Sequence, residues 1–430
     1  MAPDDQETQE QQPPTKVEQR AGDRAIQLGQ VFGDVVFQLL SFRAVIAIIA
    51  AVAIAAAIFL YLQRQTQAPD RMTGDFNIAV ARFGQVTDQG IVESALATQI
   101  SKLLFDFLDS EYKAAGFGLD IQVAHKKIGV LTEDREAEQL ANDINADIVI
   151  YGSIFVTGDE AMLSPKFYVA GQPEAGELTG QHELAYPIEF DIPSLGFQDE
   201  VNAELRSRAA ILVHFTKGLA YLFSAHDLDA AARSFQEAIR EAEKRGPSEG
   251  QEVLYLFAAH ANTRQGNFEE ATEYLDQALA LNPEYARAYV GRGNLYYYQA
   301  LQESFDETKL EKALAEYQRA LEAQDQPASA YITEKVNTAL GNVYVVLAQK
   351  ANDPELFAKA IYHYNQVVDV YEKTKDERIR ELAAIAYFGL GAAYERQGDY
   401  TQAKKAYRRC INLTSDPELK SRAESRVKDI

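Results

Sequence analysis

The chain has 430 residues, 47% hydrophobic and 25% charged, which is enough for two or three globular domains. Its net charge is −22, and the excess is concentrated: residues 70–200 hold 8 basic against 23 acidic side chains, while 210–430 hold 27 against 33. Such a surface repels phosphate backbones and anionic headgroups, which excludes nucleic acid and charged lipid as main partners, and the single cysteine, Cys410, excludes an intrachain disulfide and a cysteine-based metal site.

Residues 1–24 are rich in Gln, Glu and Pro and nearly free of large apolar side chains, the composition of a disordered tail. In 25–41, Leu28, Phe32, Val35 and Leu39 repeat at helical spacing, so 1–42 reads as a tail ending in a short amphipathic helix. Ala44 to Leu62 carries no charged side chain. At ~1.5 Å per residue it spans roughly 28 Å, close to the hydrocarbon thickness of a bilayer, and 43–63 is expected to be a single transmembrane helix. Arg43 and Arg64 bracket it almost evenly. An anchor this close to the start, with a long soluble part behind it, favours a bacterial inner-membrane protein whose soluble part is extracytoplasmic.

After a polar linker the period changes. Phe76 to Arg82 alternates as a strand, and Val92 to Tyr112 keeps Leu96, Ile100, Leu103, Leu104 and Phe107 on one helical face. Leu119–Val123 predicts a second strand, Thr132–Asn145 a helix capped by Thr132, and Ala146–Phe155 a central apolar strand. Leu163–Val169 and Glu183–Phe190 predict two more, on either side of the loop 171–180. The order β-α-β-α-β-β-β predicts a small α/β domain over 75–195. The runs Ile78-Ala79-Val80-Ala81-Arg82-Phe83 and Ala146 to Ser153 are similar to blocks of the amino-terminal domain of the periplasmic protein TolB. That resemblance implies a protein-interaction domain rather than an enzyme.

The rest is helical and repetitive. In Tyr387–Ile411, Leu390-Gly391, Tyr394, Gly398, Tyr400, Ala403 and Tyr407 stand at the spacing of a helix-turn-helix repeat. Four earlier copies carry the same small and aromatic positions: Gly218 and Phe235; Ala259 and Leu275; Gly293 and Tyr317; Gly341 and Tyr364. The pattern resembles the tetratricopeptide repeat, with five copies over 197–415. Their second-helix alanines (231, 271, 313, 360 and 403) are spaced more widely than the usual ~34 residues. Insertions at 304–312 and 350–357 are expected to lengthen two of the turns. Residues 416–430, with Asp416 as N-cap before Pro417, predict a polar capping helix. The fold class is therefore α+β multidomain: one transmembrane helix, a small α/β domain, then an all-α repeat solenoid.

No phosphate-binding glycine loop occurs, and the six histidines fall at no metal-ligand spacing. No catalytic residue, cofactor site or metal site is expected. Gly152-Ser153 reads as a small pair in a core strand, and Glu133-Asp134 as a solvated first helical turn. The stronger candidate is the concave groove lined by the first helices of the repeats. Arg287, Asn294 and Tyr297 of the third repeat, and Lys335 and Asn342 of the fourth, are placed to face it. The family resemblance implies that an Asn after the repeat glycine holds a ligand's main chain or carboxylate, with a cation nearby. The second repeat departs from this, offering Ala259 and His260. The expected function is a membrane-anchored, non-enzymatic scaffold that binds a protein or peptide partner. The alternative is a sensor whose α/β domain binds a small ligand and signals through the repeats.

Overall fold

A computed structural model of the chain describes residues 69–430 except 116–117, 172–175, 184–187, 192–209, 245–249 and 327–330. The expected tail (1–42) and transmembrane helix (43–63) lie outside the described residues. Among the described residues, no helix is long and apolar enough to cross a membrane.

The sheet is built on two strands buried on both faces, β1 (Phe76–Val80) and β5 (Ile148–Thr157). They run parallel, Ile78 opposite Ile148, and β4 (Ile121–Ala124) runs parallel on the other side of β1. Side chains alternate as a strand requires. Ile78, Val80, Ile148 and Ile150 pack with helix α1 (Ala95–Ala115). The smaller Ala79 and Ala81 face helix α2 (Asp134–Ile144), whose Ala137 and Ala141 allow a close approach. The long strand β6 (Glu160–Val169) pairs antiparallel with all of β5.

Three local features depart from the sequence reading. Gly84–Thr87 (β2) and Gly90–Glu93 (β3) form a hairpin that takes Val92 out of the expected helix. Gly90 turns at φ 104°, and Ser94 Oγ accepts from Ala97 N at 3.2 Å to start α1 instead. Helix α2 is capped by Glu133 rather than Thr132; the Thr132 and Glu133 amides both donate to the Glu136 carboxylate. Those amides, the Thr132 one foremost, hold the Glu136 pKa below its ordinary value. The expected strand Glu183–Phe190 is two short ones, β7 (Gly180–Glu183) and β8 (Ile188–Asp191), paired to different halves of β6.

Five helix pairs follow among the described residues. They are α3 (210–225) with α4 (Leu228–Glu243), α5 (Gln251–Gln265) with α6 (Phe268–Leu281), α7 (Ala286–Gln302) with α8 (Glu307–Glu322), α9 (Ile332–Ala351) with α10 (Pro354–Thr374), and α11 (Arg380–Arg396) with α12 (Tyr400–Leu413). Helix α13 (Pro417–Asp429) closes the stack, with Asp416 accepting from Glu418 N at 2.8 Å. The repeat glycines supply space. A methyl group added at Gly218, Gly293, Gly341 or Gly391 would fall 2.4–2.6 Å from the ring of Phe235, Tyr317, Tyr364 or Tyr407 on the second helix. The insertion at 350–357 does not lengthen a turn. It is absorbed into helices of 20 and 21 residues, because Asn352 in the left-handed region stops α9 and Asp353 with Pro354 at once starts α10.

The α/β region and the first repeats share one hydrophobic core. Phe167 on β6 and His182 on β7 join Phe215, Phe235 and Phe257 of α3, α4 and α5, with ring centroids 4.9–5.9 Å apart. Each buried aromatic contributes about 1.5–3 kcal/mol, so this cluster alone joins the two parts firmly.

Candidate functional site: a repeat groove filled by the chain's own segment

Arg287, His260 and Lys335, on the first helices of three repeats, meet residues 177–183 of the α/β region. This stretch begins as a single 3-10 turn, Gly176–Leu178, and continues as the edge strand β7. An edge strand leaves main-chain groups without sheet partners. Here Arg287 supplies them. Its guanidinium donates to the Gln181 carbonyl at 2.9 Å and the Glu177 carbonyl at 3.2 Å, and it is 1% exposed.

The Glu177 side chain points into the same site. Its Oε1 lies 2.6 Å from His260 Nδ1, and the Asn294 amide also donates to it. Burial pushes the carboxyl up, but the His260 and Asn294 donors outweigh burial and leave it below the ordinary value. One turn on, Lys335 Nζ donates to Thr179 Oγ1 at 3.0 Å. Burial of the Lys335 ammonium, with Arg287 nearby, pushes its pKa down to about 7. Burial and the Arg287 charge likewise keep His182 neutral well below its ordinary pKa.

The five residues singled out in the sequence therefore divide. Arg287, Asn294 and Lys335 converge on one segment. Asn342 does not touch it; its Oδ1 accepts from Tyr364 Oη at 2.7 Å. Asn294 makes the matching bond to Tyr317 Oη at 2.7 Å, so the Asn after the repeat glycine ties the two helices of its own repeat together. In the fifth repeat Ala392 stands there, and Tyr407 Oη donates to Glu395 instead. Tyr297 packs edge-on against Tyr298, centroids 6.4 Å apart, and burial raises its pKa to about 12.

Two site residues escaped the sequence reading. His260 follows Ala259 as Asn294 follows Gly293, so it holds the Asn position of the second repeat and takes the Glu177 carboxylate. That correspondence was available. Glu177 was not recognisable, since nothing in a loop glutamate announces a partner 83 residues away. His260 Nε2 is buried and has no hydrogen-bond partner. It borders a small cleft lined also by Thr263, Arg264 and Tyr298. Among the described residues, no group of three or more His, Cys, Asp or Glu could hold a metal.

Further polar contacts run along the array. Tyr112 Oη on α1 donates to the Val213 carbonyl at 3.2 Å, Ser224 Oγ to the Asp75 carbonyl at 2.8 Å, and Arg378 lies 3.6 Å from Glu138 on α2. The α/β region thus touches the array from the first repeat to the link between the fourth and fifth.

The chain carries tetratricopeptide repeats: one repeat model matches residues 259–299 and a second matches 384–417. No curated protein matches the chain. Similar solved structures include a thermophilic TPR protein of Thermus thermophilus, 19% identical, TM-score 0.36, over 51% of this chain and 100% of that one. BtubC of P. vanneervenii is 18% identical, TM-score 0.39, over 51% and 84%. Yeast Tom70 is 17% identical, TM-score 0.37, over 55% and 43%. Likeness at these scores carries no argument about function. The molecule is a mostly helical repeat solenoid with a small α/β region on its amino-terminal side.

Proposed function

We propose that this protein is a non-enzymatic scaffold, anchored in a bacterial membrane by residues 44–62, that recruits a protein partner through its repeats. Repeats of this type generally mediate protein–protein contact. The observation that carries the reading is the chemistry these repeat positions offer: Arg287, His260, Asn294 and Lys335 engage main-chain carbonyls, a carboxylate and a hydroxyl, which are the groups a peptide presents. The anchor would raise the effective concentration of any membrane partner toward the millimolar range without a new contact. The acidic α/β region, with its resemblance to the TolB amino-terminal domain, belongs to this proposal as an interaction domain outside the cytoplasm.

The test uses the whole chain in native membranes, because dividing it near residue 208 would expose the shared aromatic core. A photo-crosslinking side chain is placed at Tyr297, three residues after Asn294 on α7, or at the outward Tyr400, which is 56% exposed. Protein adducts formed at Tyr297 and not at Tyr400 support recruitment through the groove. A chain that forms no adduct at either position is not a recruiting scaffold. For the anchor, deletion of 44–62 should move the protein from the membrane to the soluble fraction; unchanged fractionation rejects that segment as the tether.

A further inference from the structure

Away from the repeats, one face of the sheet is only partly covered. Helix α2 reaches along β5 as far as Tyr151, whose hydroxyl donates at 2.8 Å to Asp134, the first residue of that helix. Phe155 lies on the same face of β5, four residues and ~13 Å further on. It is 48% exposed. Register puts Val86 of β2 beside Phe155, Ile91 of β3 beside Val86, and Met162 of β6 on the other side of Phe155. Directly opposed residues share a face, so the four make one apolar row across four strands. None of them joins the core beneath α2, which is built with Ala79, Ala81, Val149, Tyr151 and Tyr168.

The row runs out to an open strand edge. β3 ends the strand order on that side, and among the described residues its outer main-chain groups have no sheet partner. On its other face Val92 is 38% exposed. One end of this surface is acidic. β2 and β5 run parallel in register, so the β2–β3 turn, with Asp88, lies alongside the β5–β6 turn, with Asp159 and Glu160. All three side chains are exposed, and among the described residues no cation pairs with them. Residues 70–200 hold 8 basic against 23 acidic side chains. An excess of that size on both copies opposes edge-to-edge pairing of two chains and favours a cationic partner.

We infer that β3 is an acceptor edge for an extended, basic segment of a protein partner, which adds antiparallel as one more strand of the sheet. Main-chain bonds to β3 hold it. Its alternate apolar side chains continue the row beside Ile91 and cover Val92 on the other face. Running antiparallel, its carboxyl end reaches the two turns, where lysine or arginine meets Asp88, Asp159 and Glu160. This surface is separate from the repeats, and the inference does not depend on recruitment through them.

The probe is a fluorescently labelled, amidated peptide, Thr-Val-Ile-Val-Thr-Lys-Lys, and a second with glutamate in place of both lysines. Binding to the full chain in detergent is measured by anisotropy, and hydrogen exchange at Gly90–Glu93 is followed with and without peptide. The lysine peptide binds and slows that exchange; the glutamate peptide does neither. Phe155→Ser, a change at an exposed side chain, weakens binding at least tenfold. Asp159→Lys with Glu160→Lys reverses the preference between the two peptides. Absence of binding at millimolar lysine peptide, binding that leaves exchange at Gly90–Glu93 unchanged, or equal affinity for both peptides overturns the inference. Dimerisation of the peptide-free chain in sedimentation, lost in Phe155→Ser, would give the edge to a second copy and overturn the basic partner. Adducts at Tyr297 should be the same in Phe155→Ser as in wild type, so failure here leaves the scaffold reading standing.

Discussion

The α/β region meets the repeats in two ways. At one end Phe167 and His182 enter an aromatic cluster with Phe215, Phe235 and Phe257, all buried. At the other, residues 177–181 lie on arginine, lysine, histidine and asparagine side chains. The first contact gains from excluding water and loses everything when opened. The second replaces water with protein donors of similar strength, so its net worth is small beside its gross interactions. The same two parts of the chain are therefore joined by an apolar hinge and a polar clasp, with Leu178 of the clasp and His182 beside it buried in protein.

The largest effect should come from the apolar end. Phe257→Ala removes the ring that touches Phe215, Phe235 and His182, and should cost about 3–5 kcal/mol. In urea the α/β signal and the repeat signal should shift together, as one transition. Two transitions, with only the repeats weakened, would show that the core is not shared.

Arg287→Ala attacks the clasp. Its buried partners are two carbonyls and the neighbouring His182, and losing a buried cation from such a site costs roughly 3 kcal/mol when the partners stay enclosed. Here the Glu177 and Gln181 carbonyls lie in a turn and an edge strand and can gain water, so the global loss should be smaller than for Phe257→Ala. Hydrogen exchange at Gly180–Glu183 should rise sharply while the amides of β5 and β6 keep their protection. Equal loss in both regions would make the clasp as permanent as the core.

Acid should loosen the clasp. Undocked, Lys335 holds its proton up to the ordinary value of 10.5; docked, only up to about 7. Between those values undocking takes up a proton, so docking is strongest at the alkaline end and weakens as pH falls toward 7. Glu177 acts the same way only below about 4.5, because its docked carboxyl resists protonation. Each titrating group contributes at most about 1.4 kcal/mol per pH unit. Exchange at Gly180–Glu183, corrected for the intrinsic pH dependence, should accelerate from pH 9 to pH 6. Protection that increased on acidification would contradict the assigned charge states.

The two regions also differ in how far their sequences disclose them. The repeats are legible because four of the five copies solve one packing problem alike: a glycine beneath the ring of Phe235, Tyr317, Tyr364 or Tyr407. The α/β sheet is legible where strands are buried on both faces, as in β1 and β5, and less so at its short edges. The β2–β3 hairpin was hidden because four-residue strands carry no usable period. Arg287, Asn294 and Lys335 could be singled out from repeat position. What they contact could not, since it depends on a long-range approach that local pattern does not encode.

The smallest effect is the most discriminating. Asn294 and Asn342 both accept from the tyrosine of their own repeat's second helix, at 2.7 Å each. Only Asn294 also donates to Glu177. Asn342→Ala should therefore cost about 1 kcal/mol, the loss of one buried hydrogen bond. The fifth repeat already lives with Ala392 at that place by turning Tyr407 to Glu395. Asn294→Ala should cost the same plus about 1 kcal/mol for the charged acceptor, and only it should raise exchange at Gly180–Glu183. If the two variants lose equal stability and leave that exchange alike, Glu177 is held by His260 without help. The equivalence of the Asn and His positions along the groove would then be structural, a matter of tying helix to helix, rather than a shared means of gripping a carboxylate.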